Sequence, residues 1–213
     1  MVPAKPVAVK PHAPRLSEEM HVRLREAVRR AYSAAARRPE VKHAFPVGRE
    51  FAASVGYPAD QLASLPSASV NAFAGVSNVA VLADIPRRAR VLDLGCGAGL
   101  DLLVAARRVG PEGRVIGVDF SEEMLALARL AVAEVGAGNI GLCRADAERL
   151  PIKSGSVDVA LVNGIFNLNP AREMIFLELA RVVRAGGTVF AAELILREAL
   201  PAETGFSEAD WFA

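Results

Sequence analysis

The chain has 213 residues, 52% of them hydrophobic and 23% charged, with a mean hydropathy of +0.28: enough for one sizeable core with a small appended segment. The formal charge is only +1 but uneven, with eleven Lys/Arg against five Asp/Glu in residues 1–50 and a balance of −5 beyond them. No apolar run reaches the roughly 20 residues of a membrane span, and two cysteines, Cys96 and Cys143, make no disulfide framework. A protein of a reducing cytoplasm, with no membrane partner, is therefore expected.

Residues 1–16 carry prolines at 3, 6, 11 and 14 and no apolar signal core, which predicts a flexible leader. A helix follows over 17–38, with Ser17 as its cap, Glu18 and Glu19 in its first turn and Pro39 as its stop. Met20, Leu24, Val28, Ala31 and Ala35 form one apolar stripe on it. Its arginines read as a solvated face, so nucleic acid is not expected as a partner. Residues 40–85 are punctuated by Pro58 with Asp60 and by Pro66 with Ser67, and 76–85 reads as a short helix or strand. Residues 17–85 are thus expected to form a helical cap segment.

From residue 86 to 213 the pattern changes to apolar strand-like runs alternating with helical ones. Strands are predicted over 90–95, 114–119, 139–146, 156–164 and 188–196, and helices over 100–110, 121–136 and 171–187. Ser121 caps one helix and Gly186–Gly187 ends another. The strand runs are nearly all apolar, as in strands covered on both faces. The expected fold is α/β, a doubly wound, mostly parallel sheet.

In such a sheet ligands bind at the carboxyl ends of the strands, where the topology reverses. The stretch VLDLGCGAGLD (91–101) stands at that edge, with glycines at 95, 97 and 99. A dinucleotide fingerprint would need a further glycine where Leu100 stands, and no Gly-Lys-Ser/Thr follows to make a phosphate loop. No basic residue lies between Val91 and Val104, whereas Asp93 and Asp101 are both there; Asp119 closes the second strand and Asp146 follows the third. Taken singly, Asp119 would also suit the ribose of NAD, and Asp146 would also suit a helix cap. Together the acids repel a dianion and suit a ligand with an ammonium group, a ribose diol, an adenine amine and a positive sulfur, which describes S-adenosylmethionine.

DLGCGAG (93–99), VIGVDFSEEML (115–125), RADAERLP (144–151) and LARVVRAGG (179–187) resemble the class I, Rossmann-like methyltransferases. GLDLLVAARRVG, VNGIFNLNP and GYPADQLASLP (56–66) resemble the arsenite methyltransferase branch more narrowly. The resemblance implies that Asp93, Gly95, Gly97 and Gly99 face the methionine part of the cofactor and that Asp119 takes the ribose hydroxyls. It also implies that Phe120 and Met124 flank the adenine, that Asp146 takes its amine beside the Ala147 N–H, and that Asn163 lies by the transferring methyl group, the one catalytic candidate. No metal site is expected, since the histidines at 12, 21 and 43 lack ligand spacing.

That branch holds trivalent arsenic on cysteine thiolates, one directly after the asparagine matching Asn163 and another in a Gly-Cys-Gly segment upstream. Here those places hold Gly164 and FAGVSN (73–78), and HAFPVGREFA (43–52) also has no cysteine. The expected activity is methyl transfer from S-adenosylmethionine to a small molecule other than arsenite. The alternative is a shortened, non-catalytic relative that binds the cofactor as a regulatory module. Family members usually continue into an antiparallel hairpin after the fifth strand, whereas this sequence runs on only to LPAETGFSEADWFA. TVFAAELIL is then expected as an exposed edge, sheltered by the N-terminal segment, by Trp211 and Phe212, or by a second copy in a homodimer.

Overall fold

The computed structural model describes residues 17–195; the leader, residue 196 of the last predicted strand, and Trp211 with Phe212 lie outside the described residues. Five strands, β1 (Arg90–Leu94), β2 (Arg114–Asp119), β3 (Ile140–Arg144), β4 (Val157–Asn163) and β5 (Val183–Ala192), form one sheet in the order β3-β2-β1-β4-β5. Every pairing is parallel. The order reverses at β1, so the loop that leaves β1 opens at the switch point between β2 and β4.

The strand pleat sorts β1 to the two faces. Val91 packs with α6 (Leu100–Val109) and with residues 52–85, whereas Leu92 and Leu94 pack against α8 (Arg172–Val182) on the other face. α7 (Glu122–Val135) shares the first face through Ala131. Helices on both faces leave β1 and β4 buried, as their apolar runs require. Of the edge strands, β3 departs from the expected double cover and is half exposed, whereas β5, read from the sequence as an exposed edge, is largely exposed.

Five helices precede the sheet: α1 (Glu18–Arg37), α2 (Arg49–Ser54), α3 (Ala59–Ala63), α4 (Ser67–Asn71) and α5 (Val79–Leu82). Ser17 caps α1 by accepting the Met20 N–H at 3.2 Å. Pro58 and Pro66 stand directly before α3 and α4, where a missing N–H costs nothing. Tyr57, Leu62, Leu65, Val70, Phe73, Val79 and Ile85 enter the same apolar cluster as Val91 and Leu102. Residues 52–85 therefore share the core of the sheet, while α1 lies over the edge. Leu24, Val28 and Ala35 of its predicted stripe are buried, with Ala27 and Ala36 beside them, but Met20 is exposed because the helix overhangs the core at its first turn.

Three boundaries differ from expectation, the last strand running Val183–Ala192 rather than 188–196. Strand β3 ends at Arg144, so Asp146 sits in the following turn. The last helix stops at Val182, not at the glycine pair, because the chain turns extended at Val183 and enters β5. There the register jumps from Val157↔Val183 to Val159↔Thr188, so residues 184–187 loop out of the ladder. Gly186 takes φ +74°, and a Cβ on Gly187 would lie 2.8 Å from the Asp158 carbonyl oxygen. The pair serves a bulge rather than a helix end.

Candidate cofactor site

Among the described residues, a cavity opens where the carboxyl ends of β1, β2 and β4 meet α1. Its floor is the loop between β1 and α6. The Gly95 and Cys96 N–H groups both donate to the Val118 carbonyl, at 2.8 and 3.0 Å, and the Gly99 N–H donates to Cys96 at 2.8 Å. Gly95 and Gly97 take φ +75° and +52°, a region that costs any residue with a Cβ. At Gly95 a Cβ would also meet the Ile165 side chain at 2.5 Å. Ser69 of α4 donates to the Ala98 carbonyl and pins the loop from the cap side.

The structure brings Asp93, Asp119, Asp146, Phe120, Met124, Ala147, Asn163 and the glycines at 95 and 97 to this cavity. Gly99 is set back as the residue that opens α6. Asp93 is 2% exposed, and its Oδ2 finds no hydrogen-bond partner among the described residues. Burial, then the Asp101 and Asp119 charges, push its carboxyl well above the usual range. Buried polar atoms are as a rule paired, so this oxygen stands out among the described residues.

Asp119 is pinned through both oxygens: the Gly97 N–H donates to Oδ2 and the Ser121 N–H to Oδ1, each at 2.8 Å. Burial raises its carboxyl, and those backbone bonds partly offset the rise. Backbone groups thus fix both oxygens in place at the tip of β2. Asp146, read from the sequence as a ligand-facing acid or a helix cap, also pairs within the protein. Its Oδ1 already accepts Arg25 of α1 at 2.7 Å, and the side chain is 55% exposed.

Asn163, at the tip of β4, lines the cavity, but its carboxamide is fully engaged within the protein. Oδ1 accepts the Val76 and Ser77 N–H groups at 2.8 and 3.1 Å, while Nδ2 donates to the Ser77 carbonyl at 2.7 Å and to Asp101 Oδ2 at 2.8 Å. The other oxygen of Asp101 accepts the Tyr57 hydroxyl at 2.5 Å and the Ala80 N–H at 2.9 Å. Burial is the largest influence on Asp101 and raises it, and it lifts the Tyr57 hydroxyl too. The wall at the tip of β4 is therefore a braced joint between cap and sheet.

Sequence reading missed Arg25, Tyr32, Glu148 and Asn169, all of which line the cavity. Arg25 and Tyr32 flank Val28 at helical steps of three and four, so the stripe itself carried the signal. Tyr32 stacks on Phe45 with ring centroids 4.5 Å apart; burial and then the Asp119 charge keep its hydroxyl protonated. α1 is clipped onto α7 by Ser33, which donates to Glu123 at 2.7 Å, and by an Arg37–Glu123 ion pair. His43 stays out of the site, with its Nε2 2.9 Å from the Arg38 carbonyl oxygen. Cys96 is buried, its thiol pushed up by burial and then by Asp119. Among the described residues no group of acids, histidines and cysteines is placed to hold a metal, and no helix is long and apolar enough to cross a membrane.

Residues 86–210 match the family described as "Methyltransferase domain". The chain is similar to an arsenite methyltransferase of Halobacterium salinarum, 37% identical over 69% of this chain and 37% of that protein. It also resembles a demethylmenaquinone methyltransferase of Lactococcus lactis, 37% identical over 48% of this chain and 41% of that protein. Among solved structures, an arsenic(III) S-adenosylmethionine methyltransferase from Chlamydomonas reinhardtii superposes with a TM-score of 0.61 at 30% identity, covering 67% of this chain and 50% of that one. The chain thus spans half or less of the length of these relatives. With the switch-point loop, the acids at the strand tips and these matches together, the chain belongs to the class I, Rossmann-like S-adenosylmethionine-dependent methyltransferases, related to their arsenite methyltransferase branch.

Proposed function

We propose that this chain forms the cofactor-binding core of an enzyme that moves a methyl group from S-adenosylmethionine to a small-molecule acceptor by in-line displacement. The observation that carries the reading is the unpartnered, buried Oδ2 of Asp93 in a cavity that Asp119 and Asp146 also border. Asp93 would face the ammonium group, with Gly95, Gly97 and Gly99 giving the methionine part close access to the backbone. Asp119 would accept from the ribose diol. Phe120 and Met124 would flank the adenine, Asp146 would offer its second oxygen to the exocyclic amine, and the Ala147 N–H would donate to the ring. When bound, the cofactor supplies a methyl group on a positively charged sulfur that is already a good leaving group.

The protein's part is alignment and exclusion of water. Phe73, Ile165, Leu168 and Ile175 give the cavity apolar walls. Asn163, with no hydrogen-bonding capacity to spare, acts by holding residues 76–77 against the strand tip. Asp101 is likewise braced, accepting from Tyr57, Ala80 and Asn163. The acceptor suited to such a wall is a soft or already ionised nucleophile that needs no general base. Trivalent arsenic is not supported, because it needs soft thiolate ligands. Gly164 faces Val76 instead, with 3.0 Å between a Cβ built there and Val76 Cγ1.

Calorimetry with S-adenosylmethionine, S-adenosylhomocysteine and NAD tests the reading. The first two should bind and NAD should not. Asp119→Ala should weaken binding by at least about tenfold, since two hydrogen bonds to a charged group are lost. An affinity unchanged in Asp119→Ala, or no binding by the folded wild-type protein, overturns the cofactor assignment. Methylated arsenic above background from purified protein would overturn the exclusion of arsenite.

A further inference from the structure

Glu148 joins three segments that are distant in the chain. Arg25 of α1 reaches Glu148 Oε2 at 3.3 Å with one guanidinium nitrogen and Asp146 Oδ1 at 2.7 Å with another. On the other side, Asn169 Nδ2 donates to Glu148 Oε1 at 2.7 Å. Asn169 in turn accepts the Ala171 N–H at 2.7 Å, directly before α8. One carboxylate therefore ties the cap helix to the loop between β4 and α8. All four side chains border the cavity. The Glu148 side chain is only 18% exposed, against 55% for Asp146, so the junction is the better shielded part of the cluster.

We propose that Glu148 is a positioning residue that passes order from the nucleoside end of the cavity to the acceptor-side loop, residues 164–171. The proposal rests on the cofactor reading above. A ligand whose amine takes Asp146 Oδ2 fixes that carboxylate, and with it the arginine bound to Oδ1. Ordering a long arginine side chain costs rotamer entropy. Once that cost has been met by the ligand, the Arg25–Glu148 contact forms at less expense, and a fixed Glu148 holds Asn169. Loading the cofactor thereby firms the wall against which the acceptor must lie, without any group moving far.

Amide hydrogen exchange on the full chain, with and without S-adenosylhomocysteine, reads this directly. In the wild type the ligand should slow exchange about tenfold in the loop at 95–101, in α1 and in residues 164–171. Asn169→Ala cuts only the second link. It should bind the ligand within about threefold of wild type, as for loss of a partly exposed contact, and keep the slowing at 95–101 and in α1. It should lose the slowing at 164–171. Arg25→Met should lose the slowing in α1 and at 164–171 but keep it at 95–101. A brace with no coupling role would leave the ligand-dependent difference intact. Wild-type-like slowing at 164–171 in either variant, or none there in the wild type, overturns the proposal while leaving the cofactor reading in place. Absence of slowing at 95–101 in the wild type overturns the cofactor reading itself, and this proposal with it.

Discussion

Replacing Asp93 by Asn should make the protein more stable and less able to bind its cofactor, and the stability gain should depend on pH. Asp93 is buried, one oxygen has no partner, and Asp101 and Asp119 act on it with like charge. Its folded carboxyl therefore holds its proton to higher pH than the unfolded one does. Above the ordinary aspartate range the unfolded state has released a proton that the folded state retains, so stability is lost as pH rises. Asparagine has the same shape and no charge to suppress. The amide stays as poorly partnered as the carboxyl, so the gain is the charge part alone, about 2 kcal/mol near pH 7.5. For a chain of this size that is about 4–8 °C in midpoint. Thermal unfolding followed by circular dichroism at pH 5 and pH 7.5 measures it, with the larger gap at pH 7.5. The affinity for S-adenosylhomocysteine should fall by about tenfold or more in the same variant, because the ammonium loses a charged partner. An Asp93→Asn protein less stable than wild type at pH 7.5, or shifted equally at both pH values, would refute the reasoning.

Asp101→Ala leaves the Tyr57 hydroxyl, the Ala80 N–H and the Asn163 amide without their acceptor, so urea unfolding should show a loss of about 3 kcal/mol or more. Glu123 is held down to about 2 by the Ser33 hydroxyl first and Arg37 next, so its contribution is present above its ordinary value of 4.5 and is lost as pH falls toward 2. Its side chain is a third exposed, which limits the effect: Glu123→Gln should cost no more than about 1 kcal/mol at pH 7, and the difference should vanish in unfolding curves taken near pH 2. Gly187→Ala puts a Cβ 2.7 Å from Val183 Cγ1 and 2.8 Å from the Asp158 carbonyl, and should lower stability by about 1–3 kcal/mol in the same urea assay.

The sheet was legible because each strand run and each helix stripe is a local pattern, and the acids fall directly at or after strand ends. The glycine loop was legible for the same reason. The fate of the final helix was not. A glycine pair after a helical run looks like a stop, but here Gly187 answers to the Asp158 carbonyl on the neighbouring strand, a contact that only the folded sheet creates. Arg25 and Asp146 are 121 positions apart, and nothing local to either announces the pair. Asn163 was readable as a site residue from the resemblance, but its role was not. Its four bonds go to the 76–77 backbone and to Asp101, and the type of residue alone does not say whether a carboxamide faces a ligand or a neighbour.

The fit between Gly164 and Val76 constrains how this lineage could change. A cysteine introduced at 164 alone would strain a backbone at φ +78° and press its first carbon into a branched side chain. The two positions are therefore steric partners across the tip of β4. Room for a side chain at 164 has to come from the other partner, so exchanging Val76 for something slimmer eases any later gain there. The reverse order asks a branched side chain and a tight turn to give way together.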